Sequence, residues 1–174
     1  GKWHLAPIEQ SSAAGPFDTD ADTVRGLDPD GIFITNGPGN PAHPDMIGKT
    51  VATLARLKEE YPMMGICLGN QLLALMLGAK TYKLKFGHRG INQPVKFEGR
   101  VLITSQNHGF AVDRESAEDA GLDVTFTNLN DGTVEGVRHR ELPIFSVQFH
   151  PEAHAGPLDA NFLFDRFKQM LEAD

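Results

Sequence analysis

At 174 residues the chain has room for one domain with a full hydrophobic core and is too short for two comfortable ones. Its 40% hydrophobic and 22% charged composition is ordinary for a soluble globular protein, and a net charge of −7 argues against nucleic acid or an anionic membrane as a main partner. A single cysteine leaves no internal disulfide and points to a reducing, cytoplasmic compartment; the longest apolar run, residues 72–77, cannot span a bilayer, and the first residues lack the core of a signal peptide.

Residues 1–16 show no helical or strand period, and Ser11-Ser12-Ala13-Ala14-Gly15-Pro16 reads as a linker ahead of a domain over 17–174. Asp18, Asp20, Asp22, Asp28 and Asp30 then crowd together, but out of register for a calcium loop, so a solvated face or turn cluster is the reading. Gly31-Ile32-Phe33-Ile34-Thr35 predicts a strand buried on both faces. It breaks at Asn36-Gly37-Pro38-Gly39-Asn40-Pro41, a dense turn whose exposed N–H groups can hold a developing negative charge or can be mere surface. Across 45–61, Ile47, Val51, Leu54, Ala55 and Leu57 share one helical face, and Pro62 stops that helix.

A second apolar run then ends in Gly65-Ile66-Cys67-Leu68-Gly69, and an apolar helical pattern starts at once. Strand, sharp turn and helix make the outline of a nucleophile elbow with Cys67 at its tip. A helix N-terminus there favours a thiolate; the alternative is a buried cysteine used as a small hydrophobe. Strand, turn and helix, twice over, predict a parallel sheet with outer helices, and ligands in such sheets gather at the carboxyl ends of strands, where Gly37 and Cys67 both fall.

Beyond Gly78 the pattern changes to short strands at 81–84, 100–104, 124–127, 134–137 and 144–149, with a hairpin signal at Asp131-Gly132 and a final helix over 159–171. Thiol chemistry needs a base and a group to orient it. Of the seven histidines, His150 ends an apolar strand, and Glu152, two residues on, can reach the same side. His150 and His154 lack the order and helical continuity of a zinc motif, and no Gly-x-Ser-x-Gly occurs.

Gly65-Ile66-Cys67-Leu68-Gly69-Asn70-Gln71 together with His150-Pro151-Glu152 resembles the triad class of glutamine amidotransferases, and the 36–41 turn is similar to that class's oxyanion strand. Within the class, Lys85-Phe86-Gly87-His88-Arg89-Gly90, Gln93-Pro94-Val95 and Ser105-Gln106-Asn107-His108-Gly109-Phe110-Ala111-Val112 resemble the small subunit of carbamoyl-phosphate synthetase. The resemblance covers about residues 17–172. It implies an α/β fold, an open, mostly parallel, flavodoxin-like sheet flanked by helices, here lacking the family's usual first strand and helix. It further implies glutamine hydrolysis through a thioester, with Cys67 as nucleophile, His150 as base and Glu152 as its orienter. Gly37 and Leu68 would hold the oxyanion, and Gln71, Asn107, Gly109 and Phe110 the glutamine. His88 and His108 are expected in structural roles. Ammonia would pass to a synthetase partner, the large subunit or a fused domain, which would bind ATP, Mg and bicarbonate; no cofactor or metal is expected in this domain. Two alternatives stay open: a truncated non-catalytic module that binds the synthetase, and a glutaminase serving another synthase.

Overall fold

A computed structural model describes residues 13–153 and 160–173. Its strands are β1 (Ile32–Ile34), β2 (Met63–Ile66), β3 (Thr81–Phe97), β4 (Arg100–Val112), β5 (Leu122–Asn128), β6 (Val134–His139) and β7 (Ile144–Val147), and its helices α1 (Ala21–Gly26), α2 (Ala52–Leu57), α3 (Leu68–Met76), α4 (Arg114–Asp119) and α5 (Phe162–Leu171). One sheet joins all the strands in the order β1-β2-β7-β6-β4-β3-β5, with β6 also paired to β5.

The expected α/β architecture is present, with one correction to the sheet. Among the described residues, parallel pairing is confined to β1, β2 and β7, and every other pairing is antiparallel. The reason is local. Phe97 faces Arg100 across Glu98 and Gly99, at φ 46° and 77°. Two positive φ values make the tight hairpin turn that suits the strand twist, so β3 runs straight into β4 with no crossover helix. This hairpin also carries the strands far beyond the expected 81–84 and 100–104. The expected 45–61 helix starts as a π-helical stretch, Met46–Val51, and ends with α2 at Leu57. The expected lack of an opening strand and helix rests on residues 1–16, of which 1–12 lie outside the described residues.

Alternation along the parallel strands fills two cores. Ile32, Ile34 and Met63 meet Leu54, Leu57, Leu68, Leu72 and Leu73 on the α2–α3 face. Phe33, Met64, Ile66, Phe145 and Val147 meet Leu163 and Phe167 of α5 on the other. An aromatic chain runs from Phe162 to Phe97 (5.4 Å between ring centroids), on to Phe126 (4.4 Å) and then to Phe149 (5.2 Å). Phe149 is fully buried, and this packing fixes the position of the residue after it, His150.

Among the acidic residues near the start, Asp20 caps α1, accepting from the N–H groups of Asp22 and Thr23. Asp22 pairs with Arg25 and Arg56. Among the described residues, no helix is long and apolar enough to cross a membrane.

Candidate active site

Three neighbouring strand ends build the site. β1 delivers the 36–39 turn, β2 delivers Cys67, and β7 leads through Gln148 and Phe149 to His150. Because β2 and β7 pair in parallel, with Ile66 opposite Val147, the residues beyond them emerge side by side. The Cys67 N–H donates to the Val147 carbonyl at 2.9 Å, and the His150 N–H to the Ser105 carbonyl at 2.8 Å.

Cys67 stands at φ 55°, ψ −104°, immediately before α3. A non-glycine residue held there stores roughly 1–3 kcal/mol of strain. The strain persists because the surroundings are tight. A Cβ on Gly65 would lie 2.6 Å from the Gly69 carbonyl carbon and oxygen, and one on Gly69 would overlap the Ile34 carbonyl oxygen. Gly65 therefore lets β2 approach α3, and Gly69 lets the start of α3 approach β1, closely enough to hold the sharp turn. Cys67 Sγ is 3.9 Å from the Asn107 carbonyl oxygen.

His150 Nδ1 is 2.9 Å from Glu152 Oε1. The hydrogen bond with Cys67 first, and that with Glu152 second, push the His150 pKa up to about 10 against the opposing effect of burial. The imidazole is therefore held as a cation between sulfur and carboxylate, with Glu152 on the more exposed side.

Eight residues singled out from sequence, Gly37, Cys67, Leu68, Gln71, Asn107, Gly109, Phe110 and His150, line one cavity of about 560 Å³. Glu152 reaches it through His150. The Gln71 amide nitrogen donates to the Phe110 carbonyl (2.9 Å) and to Gln148 Oε1 (2.9 Å), so its carbonyl oxygen is the group left to accept from a ligand. His154 and Pro157 lie outside the described residues.

Sequence reasoning missed the polar framework behind the cavity. His88 sits between Glu135 Oε1 (3.1 Å from Nδ1) and Asp131 Oδ2 (2.8 Å from Nε2). The bond to Glu135, then that to Asp131, raise its pKa to about 9 against burial. Glu135 is fully buried, which raises its own pKa, and it also accepts from Asn128. His108 is pushed down to about 4 by burial, and its Nδ1–H donates to the same Phe110 carbonyl that Gln71 holds. Ligand atoms of His88, His108 and Glu135 fall within 4.8 Å of one another. Both nitrogens of each ring already face hydrogen-bond partners, so the group reads as a bonded cluster. Lys83 and Arg89 also line the cavity. The one sequence signal for them was the basic character of β3.

The model of the family described as glutamine amidotransferase class-I matches residues 4–170. The chain is 55% identical over 157 residues to a carbamoyl phosphate synthase small chain of Methanopyrus kandleri, covering 89% of this chain and 43% of that protein. It is 53% identical over 159 residues to the protein of that name in Bacillus cereus, covering 90% and 43%. The chain thus spans less than half the length of these curated relatives. Among solved structures, it resembles a protein from Thermoplasma acidophilum described as a GMP synthase subunit, with TM-score 0.75 and 24% identity over 91% of this chain and 79% of that one. A glutamine amidotransferase from Thermotoga maritima matches with TM-score 0.57 and 23% identity, over 80% and 64%. These two show the fold alone.

Proposed function

The chain belongs to the class-I glutamine amidotransferase family, and from that premise we propose that it hydrolyses glutamine to glutamate and ammonia for a synthetase partner that makes carbamoyl phosphate. The observation that carries this reading is a strained cysteine at a helix start beside a histidine whose other side is held by a carboxylate. We assign the catalytic unit to residues 17–174 and its setting to the cytoplasm. ATP, Mg and bicarbonate chemistry belongs to the partner.

The Cys67 thiolate, paired with protonated His150, attacks the side-chain amide carbon of glutamine. A carbon–sulfur bond forms, and the amide oxygen becomes an oxyanion facing the backbone N–H groups of Gly37 and Leu68. Such preorganised donors supply the largest single part of the rate enhancement in acyl transfer. His150 then gives its proton to the departing nitrogen, the carbon–nitrogen bond breaks and ammonia leaves. Neutral His150 next takes a proton from water, whose oxygen attacks the thioester; glutamate is released and the thiolate–imidazolium pair returns. Glu152 keeps the ring oriented throughout. The turn at Gly37, the start of α3 and the 107–110 segment surround one cavity, which supports these assignments.

Glutamate release by the full chain, alone and with the large subunit of a carbamoyl-phosphate synthetase, tests the reading. The expected result is glutamate formation that is faster with the large subunit present and that Cys67→Ala abolishes. A stable complex with no glutamate would instead favour a non-catalytic binding module.

A further inference from the structure

We infer that Gln148 is a positioning residue for glutamine hydrolysis: it pins the first turn of α3, just after Cys67, to the chain that delivers His150. The inference rests on the glutamine reading and adds to it a residue that does not line the cavity.

Alternation along β7 and the residues after it sets the geometry. Phe145, Val147 and Phe149 turn into the core under α5, which leaves Ser146 and Gln148 facing α3. There Gln148 Oε1 accepts from Asn70 Nδ2 at 3.1 Å and from Gln71 Nε2 at 2.9 Å. Asn70 Oδ1 accepts in turn from the Ser146 hydroxyl at 2.9 Å. Asn70 and Gln71 are the third and fourth residues after Cys67, in the same turn as the Leu68 N–H. The backbone on the other side is fixed too. The Gln148 N–H donates to the Glu135 carbonyl at 2.8 Å, and two residues on the His150 N–H donates to the Ser105 carbonyl. Asn70, Gln71, Ser146 and Gln148 are all buried.

Two features set this clamp apart from ordinary packing. Leu72 and Leu73 hold α3 to the sheet by apolar contact, which has no direction and tolerates sliding. Two hydrogen bonds to one oxygen fix where the helix start lies against the strand. Gln148 also carries a cost that stability does not explain. Its Nε2 is buried with no hydrogen-bond partner among the described residues, a penalty that an apolar side chain of the same length avoids.

The test follows Cys67 labelling in the full chain by a diazoketone analogue of glutamine, resolved into a saturating rate and a half-saturating concentration. Gln148→Met keeps the length of the side chain and removes the accepting oxygen. It is expected to lower the saturating rate about tenfold to a hundredfold, as small misplacements of reacting groups do, with the half-saturating concentration within about threefold. Gln148→Glu keeps an oxygen toward α3 and should recover most of the rate. Adding Asn70→Leu to Gln148→Met removes a donor along with the acceptor, so stability in denaturant should recover while the rate stays low. This double variant also carries the comparison if Gln148→Met alone does not fold. An unchanged saturating rate, a loss confined to the half-saturating concentration, or a rate that returns with stability would each overturn the inference and leave the glutamine reading standing. If the unsubstituted chain shows no saturable labelling by the analogue although iodoacetamide reaches Cys67, the glutamine reading itself fails and the inference with it.

Discussion

At the scale of single residues, Cys67 is chemically placed at a conformational cost. Its φ of 55° is one that glycine adopts freely and a side chain resists. Cys67→Gly should therefore abolish glutamine hydrolysis while leaving the denaturation free energy unchanged or higher by about 1 kcal/mol, strain relief offsetting the lost packing. A loss of several kcal/mol in denaturant unfolding would contradict stored strain. His150 sets the pH behaviour. In the proposed mechanism, a pKa near 10 lets it keep the proton that departing ammonia needs until the solution approaches that value. Glutamate release should show an alkaline limb near pH 10. Glu152→Gln removes one of the two bonds that raise the pKa, so the limb should move to lower pH and kcat should fall about 10²–10⁴-fold. The proposed triad could be put forward from sequence because its members sit at boundaries that local chemistry marks: glycines around Cys67, proline after His150. Arg89 and Lys83 could not, since nothing in an isolated basic strand tells which cation faces a cavity.

Among the elements, the β2–α3 elbow was the most readable, because close approach demands glycine at two defined places. Gly69→Ala would drive a methyl group into the Ile34 carbonyl, which is backbone and cannot swing aside. A destabilisation of about 3 kcal/mol is expected in denaturant melts, together with loss of Cys67 alkylation by glutamine analogues. The β3–β4 hairpin was seen only as fragments: its bulges interrupt the alternation, and the Glu98-Gly99 turn lies inside what otherwise reads as loop. Helix α4 went unseen for a different reason. It has one buried residue, Ala117, so it has no apolar face to detect, and its sign is the Asp113 cap that accepts from the Ser116 N–H at 2.9 Å.

For the whole molecule, buried polar bonds join the antiparallel half of the sheet to the catalytic half. The Gln71 amide nitrogen donates across that divide to the Phe110 carbonyl of β4, and within the antiparallel half Asp131 and Glu135 grip His88 from the β5–β6 hairpin. His88 and His150 both have folded-state pKa values above the ordinary 6.5, at about 9 and about 10. A raised pKa adds stability that is fully present below pH 6.5 and is lost as pH climbs through the folded value. The unfolding midpoint of the full chain should therefore decline between about pH 7 and 10, and His88→Asn should remove the portion lost through about 9 while leaving the portion due to His150. This network was invisible in the sequence, where nothing marks Glu135, inside the expected 134–137 strand, as the fully buried carboxylate it is. The division of the fold was half legible. Strand–turn–helix rhythm announces parallel strands, whereas closely spaced turns leave open which antiparallel neighbour each strand will find.

The central claim is that glutamine passes through a covalent bond to one sulfur. Acid-quenching the full chain during turnover of isotopically labelled glutamine, then weighing the peptide that contains Cys67, measures it directly. The account predicts a γ-glutamyl thioester on Cys67 that disappears as labelled glutamate accumulates. Labelled glutamate formed at full rate with no adduct on that peptide, or with the adduct on another residue, would contradict it.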